Sequence, residues 1–274
     1  MLLRVSILLL SFFCAMPAQD SAPSLAGIGH VAFRVNDVAK SRDFYHTLGF
    51  EEAFSFSDPG KPPVSYIKVN DRQFIELYGR ADDSQPLGLM HVCYEAADIQ
   101  SVWNEYSKRG IDSPQPRKAR AGNLLFLFRD PENQIVEFTQ YLPGSLHFED
   151  RGKHLGEKRI SQEMVSATVP VRDIAPEVAF YKEKLGFEKS ALENTLSLPG
   201  NSGHAVQLTS LTTPARITFA VFDLAGTSAE LRHRSRNSTD AKDSVSVADP
   251  DGNIVVFASG KSSASPSQAP RSKN

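Results

Sequence analysis

An internal repeat of 61 residues constrains the fold of this chain more than any other feature. His30 and His91 are 61 residues apart, and so are Glu76 and Glu137. Three further identical pairs share this offset: Asp37 and Asp98, Tyr45 and Tyr106, and Gly49 and Gly110. Coincident offsets of this kind predict a duplicated unit, so the chain is expected to fold as repeated modules.

Each copy of the unit reads as a strand, a helix and several further strands. Residues 28–33 and 89–94 are short, apolar and rich in β-prone residues, which is typical of strands. An aspartate precedes each helical stretch, 39–48 and 100–109, and a glycine follows it. Aspartate at the start and glycine just past the end are the usual helix caps.

The second half of the chain carries a weaker echo of this unit. Leu185-Gly186-Phe187 repeats the pattern Leu48-Gly49-Phe50, and residues 249–257 repeat that of 130–138. We therefore expect two related domains, of which the second is degenerate. The predicted organisation is a signal peptide at 1–18, a first domain at 27–141, a linker at 142–162, a second domain at 163–259 and a disordered tail at 260–274.

The first 18 residues are typical of a signal peptide. Arg4 supplies a positive charge, the apolar run 5–15 is too short to span a bilayer, and Ala18 fits a cleavage site. We expect a periplasmic or secreted protein without stable membrane insertion after cleavage; an uncleaved membrane anchor is the alternative. Cleavage leaves Cys93 as the single cysteine, so no internal disulfide can form.

The charge balance argues against a nucleic-acid partner. Thirty Lys and Arg residues against 32 Asp and Glu residues give a net charge of −2, whereas nucleic-acid-binding domains are typically basic. The expected assembly is a monomer or a homodimer.

The repeated histidines and glutamates form the candidate site. His30 and His91 lie on the first strand of each unit, and Glu76 and Glu137 on the last. If the units pair about a pseudo-twofold axis, these four side chains converge. Two imidazoles and two carboxylates suit one divalent metal ion, which can be Zn, Ni, Co, Fe or Mn. A satisfied buried polar cluster without a metal is the alternative.

These motifs resemble the vicinal oxygen chelate superfamily, which includes glyoxalase I, bleomycin resistance proteins and extradiol dioxygenases. The matching stretches are Gly29-His30-Val31, Phe44-Tyr45 with Leu48-Gly49-Phe50, Met90-His91-Val92, and Asp130-Pro131 with Ile135-Val136-Glu137-Phe138. The resemblance implies an α+β fold of tandem βαβββ modules, paired into two cup-shaped domains, one of which surrounds the metal.

Bacterial glyoxalase I is similar in its set of four metal ligands, for which this chain offers His30, Glu76, His91 and Glu137. The resemblance implies an isomerase or lyase that transfers a proton on a small oxygenated metabolite, so the expected partner is a small-molecule substrate. The metal would bind two vicinal oxygens of the substrate and stabilise an enediolate, with Glu137 or Glu76 as the catalytic base. Two alternatives remain: a non-haem iron extradiol dioxygenase, and a metal-free binding or resistance protein.

Two features weaken the likeness to glyoxalase I itself. An exported chain would leave the mainly cytosolic thiol cofactor of that enzyme, and no compact cluster of Arg and Lys stands out in the sequence. Ordinary structural roles are expected for the weaker site candidates Arg34, Tyr66, Lys68, Cys93 and Thr139. In the second domain we expect Ser166, Gln207, Thr218 and Val256 at the four site positions, which predicts no metal there.

Overall fold

The computed structural model describes residues 22–234 and 237–260. The predicted signal peptide lies outside these residues, as does the predicted tail beyond residue 260. The first half contains these elements: β1 Gly27–Val35, α1 Val38–Thr47, β2 Glu51–Phe56, β3 Val64–Lys68, β4 Phe74–Gly79, β5 Gly88–Glu95, α2 Ile99–Lys108, β6 Arg117–Lys118, β7 Leu124–Arg129 and β8 Ile135–Gln140.

The second half repeats this order after a short helix, α3. Its elements are α3 Leu146–Glu149, β9 Met164–Val171, α4 Ile174–Glu183, β10 Glu188–Lys189, β11 Thr195–Ser197, β12 Ala205–Ser210, β13 Arg216–Val221, α5 Leu224–His233, β14 Ser238–Asp240, β15 Ser244–Ala248 and β16 Ile254–Ser259. Among the described residues, no helix is long and apolar enough to cross a membrane.

The strands form two eight-stranded sheets of the same topology. The first has the order β2-β3-β4-β1-β5-β8-β7-β6, and the second the order β10-β11-β12-β9-β13-β16-β15-β14. In the first sheet, β1 pairs with β4 in parallel and with β5 antiparallel, and β5 pairs with β8 in parallel. Each sheet therefore joins two βαβββ modules along a central antiparallel seam. The predicted α+β fold of tandem βαβββ modules is confirmed.

Local sequence explains why the helices begin and end where they do. The side chain of Asp37 accepts hydrogen bonds from the backbone amides of Ala39 and Lys40, and Asp98 does the same for α2. Gly49 follows α1 with a φ of 84°, a left-handed conformation that glycine adopts without strain. The repeated Asp and Gly are thus the caps predicted from the sequence.

The two faces of the first sheet differ in character. Because side chains alternate along a strand, Val31, Phe33 and Val35 of β1 lie on the face that packs into the hydrophobic core. His30 and Ala32 lie on the opposite, concave face, which we call the cup. The apolar core therefore fixes the register that brings polar residues together in the cup.

The predicted linker is tied closely to the first sheet. Lys68 of β3 is fully buried, and its ammonium group lies 2.8 Å from a carboxylate oxygen of Asp150 and 3.0 Å from one of Asp71. A burial of this kind requires the paired carboxylates. Just after the predicted linker, at the start of β9, the backbone carbonyl of Met164 accepts a hydrogen bond from the side chain of Gln73, and the backbone amide of Met164 donates one to it. We call residues 142–162 the connector; it carries α3 over the cup.

Candidate metal centre

The four predicted site residues meet on the cup face beside the central seam. Strand pairing sets Ala32 opposite both Glu76 and His91, and sets Cys93 opposite both His30 and Glu137. The two halves of this pattern are related by the pseudo-twofold axis of the sheet. All four predicted side chains are buried, with at most 7% of each residue exposed.

The side chains of His30, His91 and Glu137 converge on one point. The Nε2 atom of His30 lies 3.2 Å from Nε2 of His91 and 3.3 Å from Oε1 of Glu137. His91 Nε2 lies 3.9 Å from Oε2 of Glu137. Glu76 lies on the other side of the His30 ring, with Oε1 3.4 Å from Nδ1.

These distances fit a metal ion. Two ligands that bind one ion at about 2.1 Å lie roughly 3.0–3.5 Å apart when their bonds to the metal are at 90–110°. Two groups of three residues, which share His30, have possible ligand atoms that all lie within 4.8 Å of one another. The first group is His30, Glu76 and His91, and the second is His30, Cys93 and Glu137. The donor set of imidazole and carboxylate suits a transition metal.

The electrostatic environment separates the two carboxylates. Burial disfavours the charged form of both, but His91 and His30 hold the pKa of Glu137 down at about 2. For Glu76 burial prevails, so its pKa is raised despite the neighbouring His30. Burial also lowers the pKa of His91 to about 4, which keeps that imidazole neutral and able to bind a metal.

Glu76 is held by a residue that the sequence did not single out. The hydroxyl group of Tyr78, two residues further along β4, donates to Oε2 of Glu76 at 2.8 Å. Strand alternation puts both side chains on the cup face. This bond occupies one oxygen of the carboxylate and leaves the other directed at His30.

The structure also places an unpredicted histidine in the site. His147 of α3 is buried, stacks on Tyr141 with ring centroids 4.4 Å apart, and has Nε2 4.0 Å from Oε1 of Glu76. Within residues 22–234 and 237–260, neither of its ring nitrogens has a hydrogen-bond partner. A buried nitrogen without a partner is costly, so His147 is suited to bind a molecule in the cavity. The connector is not repeated, so the repeat spacing gave no signal for it.

These residues surround a cavity of about 290 Å³, which we call the site cavity. His30, Glu76 and Glu137 line its base, and Leu125 and Leu127 of β7 line its wall. The remaining lining residues, several of them cationic or aromatic, are Tyr66, Arg117, Ala119, Arg120, Ala121 and Asn123. Such a volume suits a small ligand rather than a macromolecule.

The weaker sequence candidates have mixed outcomes. Tyr66 lines the site cavity, and buried Cys93 belongs to one of the two possible ligand groups. Lys68 is instead paired with Asp150, and Arg34 donates to the carbonyl of Pro86. Thr139 is bound within the sheet, where its hydroxyl group donates to the carbonyl of Leu124.

The second sheet lacks this donor set, with one correction to the predicted positions. In the first sheet, Cys93 lies opposite both His30 and Glu137. In the second sheet, Thr218 lies opposite both Ser166 and Val256. Thr218 is therefore the counterpart of Cys93, and the place of His91 is taken by Arg216. The error could have been avoided by counting: Arg216 is seven residues before Asp223, the same spacing that separates His91 from the capping Asp98.

Comparison with known proteins points to one superfamily. Residues 27–138 match the sequence model of the Glyoxalase/Bleomycin resistance protein/Dioxygenase superfamily. No curated protein matches the chain significantly.

Solved structures share the fold over most of the chain. The Mn(II)-bound glyoxalase from Novosphingobium aromaticivorans is 14% identical, with a TM-score of 0.66 over 86% of this chain and 82% of that one. A catechol 2,3-dioxygenase is 15% identical, with a TM-score of 0.65 over 89% and 91% of the two chains. Homoprotocatechuate 2,3-dioxygenase from Arthrobacter globiformis is 16% identical, with a TM-score of 0.63 over 92% and 85%.

At these identities the structural likeness establishes the fold alone. The sequence match covers the segment that contains the four predicted site residues His30, Glu76, His91 and Glu137. Residues 27–138 are therefore similar to the domains of the Glyoxalase/Bleomycin resistance protein/Dioxygenase superfamily, and this similarity includes all four predicted site residues.

Proposed function

We propose that this protein is a metal-dependent, glyoxalase-like enzyme that transfers a proton on a small oxygenated molecule. The observation that carries the proposal is the convergence of His30, His91 and Glu137, with Glu76 on the far side of the His30 ring. A divalent metal bound there would polarise two neighbouring oxygens of a substrate and so make an adjacent C–H bond more acidic.

We assign different roles to the two carboxylates. Glu137 faces the same nitrogen of His30 as His91 does, so it would anchor the metal together with the two histidines. Glu76 faces the opposite nitrogen, which leaves it the more peripheral of the two. Its raised pKa makes it the better proton acceptor, because a base with a pKa nearer the working pH transfers protons more effectively.

The neighbours of Glu76 support this proton transfer. Tyr78 donates to one carboxylate oxygen and orients it, while the other is free to take a proton from the substrate carbon and return it to the adjacent one. The unpaired His147 lies on the same side and could donate a hydrogen bond to the substrate. Leu125 and Leu127 limit the access of water to the base of the cavity.

Proton exchange in D₂O tests the assignment. We expect the metal-loaded wild-type protein to accelerate the exchange of carbon-bound hydrogen in a small α-hydroxy ketone such as hydroxypyruvate, followed by NMR. Glu76→Gln should slow this exchange about 100-fold or more. Glu157→Gln changes an exposed glutamate and is the matched control. Equal rates in Glu76→Gln and wild type would contradict the role of Glu76.

A specific observation favours a second candidate function. Two histidines and one carboxylate with open positions also suit non-haem Fe(II) oxygenases, and His30, His91 and Glu137 converge more closely than the full set of four. Two of the structures with the same fold are dioxygenases. Oxygen uptake by the Fe(II)-loaded protein with a catechol, and no proton exchange, would favour this candidate over the first.

Two further parts of the account remain predictions. The signal peptide at 1–18 leads us to propose export to the periplasm or the medium. The four site positions of the second sheet hold Ser166, Gln207, Arg216 and Val256 instead of two histidines and two glutamates, which leads us to propose that this sheet serves as a structural partner, or binds a ligand without metal. If the wild-type protein binds a small ligand equally well with and without metal, the metal-free binding function would replace both enzyme proposals.

A further inference from the structure

The mouth of the site cavity carries two arginines. Arg117 lies on the short edge strand β6, and Arg120 follows it in the loop before β7. Pairing sets Arg117 opposite Leu125, and residues opposite each other on neighbouring strands share a face of the sheet. Since Leu125 lines the cavity, Arg117 lies on the cup face, whereas the next residue, Lys118, lies on the other face.

The two arginines differ in whether their charge is balanced. Arg120 has Nη2 2.7 Å from Oδ1 of Asp58, and its guanidinium group lies 3.9 Å from the centre of the Phe56 ring. Arg117 has no ion pair or hydrogen bond from its side chain to any residue within 22–234 or 237–260. One positive charge at the mouth is therefore available to a ligand.

The base of the cavity does not supply a compensating charge once the proposed metal is bound. Glu76 and Glu137 together carry two negative charges, which a divalent ion balances formally. The unpaired Arg117 then makes the loaded cavity attractive to a ligand with a single negative charge. A guanidinium group matches a carboxylate well, because its planar fork can donate two parallel hydrogen bonds.

We propose that the ligand of this site is a small carboxylate whose anionic group binds Arg117, while two neighbouring oxygens at its other end face the residues at the cavity base. The second part of this inference, and the charge balance at the cavity base, rest on the proposed function; the pairing of a carboxylate with Arg117 rests on the place of this unpaired guanidinium at the cavity. The cavity volume of about 290 Å³ limits the ligand to the size of a single substituted ring or a short chain.

A matched pair of probes tests the carboxylate. 3,4-Dihydroxybenzoate and its neutral analogue 3,4-dihydroxybenzamide have the same shape and the same pair of oxygens and differ in charge. Calorimetry on the full chain, metal-free and loaded with Zn(II), gives the Kd of each. We expect the wild-type protein to bind the benzoate about tenfold or more tightly than the benzamide, because a charge-assisted bidentate pair exceeds a neutral contact by about that factor.

Substitutions then assign the preference to one residue. Arg117→Gln should remove the preference for the benzoate and leave the Kd of the benzamide unchanged. Lys118→Gln removes the same charge from the neighbouring position on the other face of the strand, and it should keep the preference. Equal loss in both variants would mean a general field of positive charge and would overturn the assignment to Arg117.

The remaining outcomes separate this inference from the proposed metal function. If Zn(II) adds no affinity for either probe but the preference for the benzoate persists in the wild type and is lost in Arg117→Gln, the metal function fails and the carboxylate assignment stands. If Zn(II) strengthens both probes equally and the wild type shows no preference between them, the carboxylate assignment fails. Failure of the wild-type protein to bind either probe overturns it as well.

Discussion

At the scale of single residues, His147 has a well-packed ring whose two nitrogens lack hydrogen-bond partners among the described residues. Its ring contacts those of Phe54, Tyr66, Phe74 and Tyr141, with centroids 4.4–5.5 Å apart. Yet both nitrogens are buried without partners, and burial lowers the pKa of this imidazole to about 3. A side chain with these properties decreases stability unless something in the cavity binds it.

Replacement of this histidine by phenylalanine separates packing from chemistry. We expect His147→Phe to raise the free energy of unfolding of the metal-free protein by about 1–2 kcal/mol, because the ring contacts remain and two unpaired polar atoms are removed. Urea unfolding measures the difference. His147→Gln is the comparison, since it keeps a polar group but loses the ring; it should decrease stability. A decrease in stability in His147→Phe would show that the nitrogens have partners in solution.

The residues of the site differ in how far they could be predicted from the sequence. His30, Glu76, His91 and Glu137 could be identified because a repeat maps onto a pseudo-symmetric sheet, where equivalent residues meet near the axis. His147 and Arg117 lie in segments that have no repeated partner, so only the three-dimensional path of the chain brings them to the cavity. The position of Arg216 was misassigned because the second sheet has no histidine to fix the alignment.

At the scale of elements, the connector is held to the first sheet by a buried charge cluster. Lys68 donates to the carbonyl oxygen of Asp150 as well as to its carboxylate, and His154 lies 2.5 Å from the other carboxylate oxygen. Asp150 follows α3 directly, so this cluster fixes the helix that carries His147. A segment predicted as a simple linker thus takes part in the site.

Removal of the buried ammonium should loosen the connector. We expect Lys68→Met to decrease the free energy of unfolding by about 3 kcal/mol, because the buried carboxylate of Asp150 loses its ammonium partner and keeps only the contact with His154. Chemical denaturation measures this loss, and limited proteolysis should show faster cleavage within 142–162. The double variant Lys68→Met with Asp150→Asn should recover part of the loss. No recovery would mean that the lysine contributes through packing rather than through the ion pair.

At the scale of the whole molecule, acidic groups meet where the two halves pack. Glu177 of α4 accepts a hydrogen bond from the backbone amide of Glu132, in the turn between β7 and β8. The second carboxylate oxygens of Glu177 and Asp130 are buried and have no hydrogen-bond partner in the part of the chain that the structure describes. Burial, and the proximity of the two carboxylates, raise the pKa of Glu177 to about 7; burial raises that of Asp130 to about 6.

These raised pKa values predict that the protein is more stable in mild acid. A carboxyl group whose pKa is higher in the folded state takes up a proton on folding, so its contribution is lost as pH rises from about 4 to about 7. We expect thermal stability to fall between pH 5 and pH 8. Glu177→Gln should reduce this decrease and stabilise the protein at pH 8 by at most about 2 kcal/mol. Glu183→Gln, an exposed glutamate on the same helix, is the control; an unchanged pH profile in Glu177→Gln would contradict the account.

The central claim is that His30, His91 and Glu137 hold one metal ion beside Glu76, and elemental analysis of the purified full chain tests it most directly. The account predicts about one transition-metal ion per chain in the wild-type protein and its loss in His91→Ala and in Glu137→Ala. His233→Ala, which changes an exposed histidine at the end of α5, should keep the metal. A wild-type protein without metal after reconstitution, or a His91→Ala variant with the wild-type content, would contradict the account.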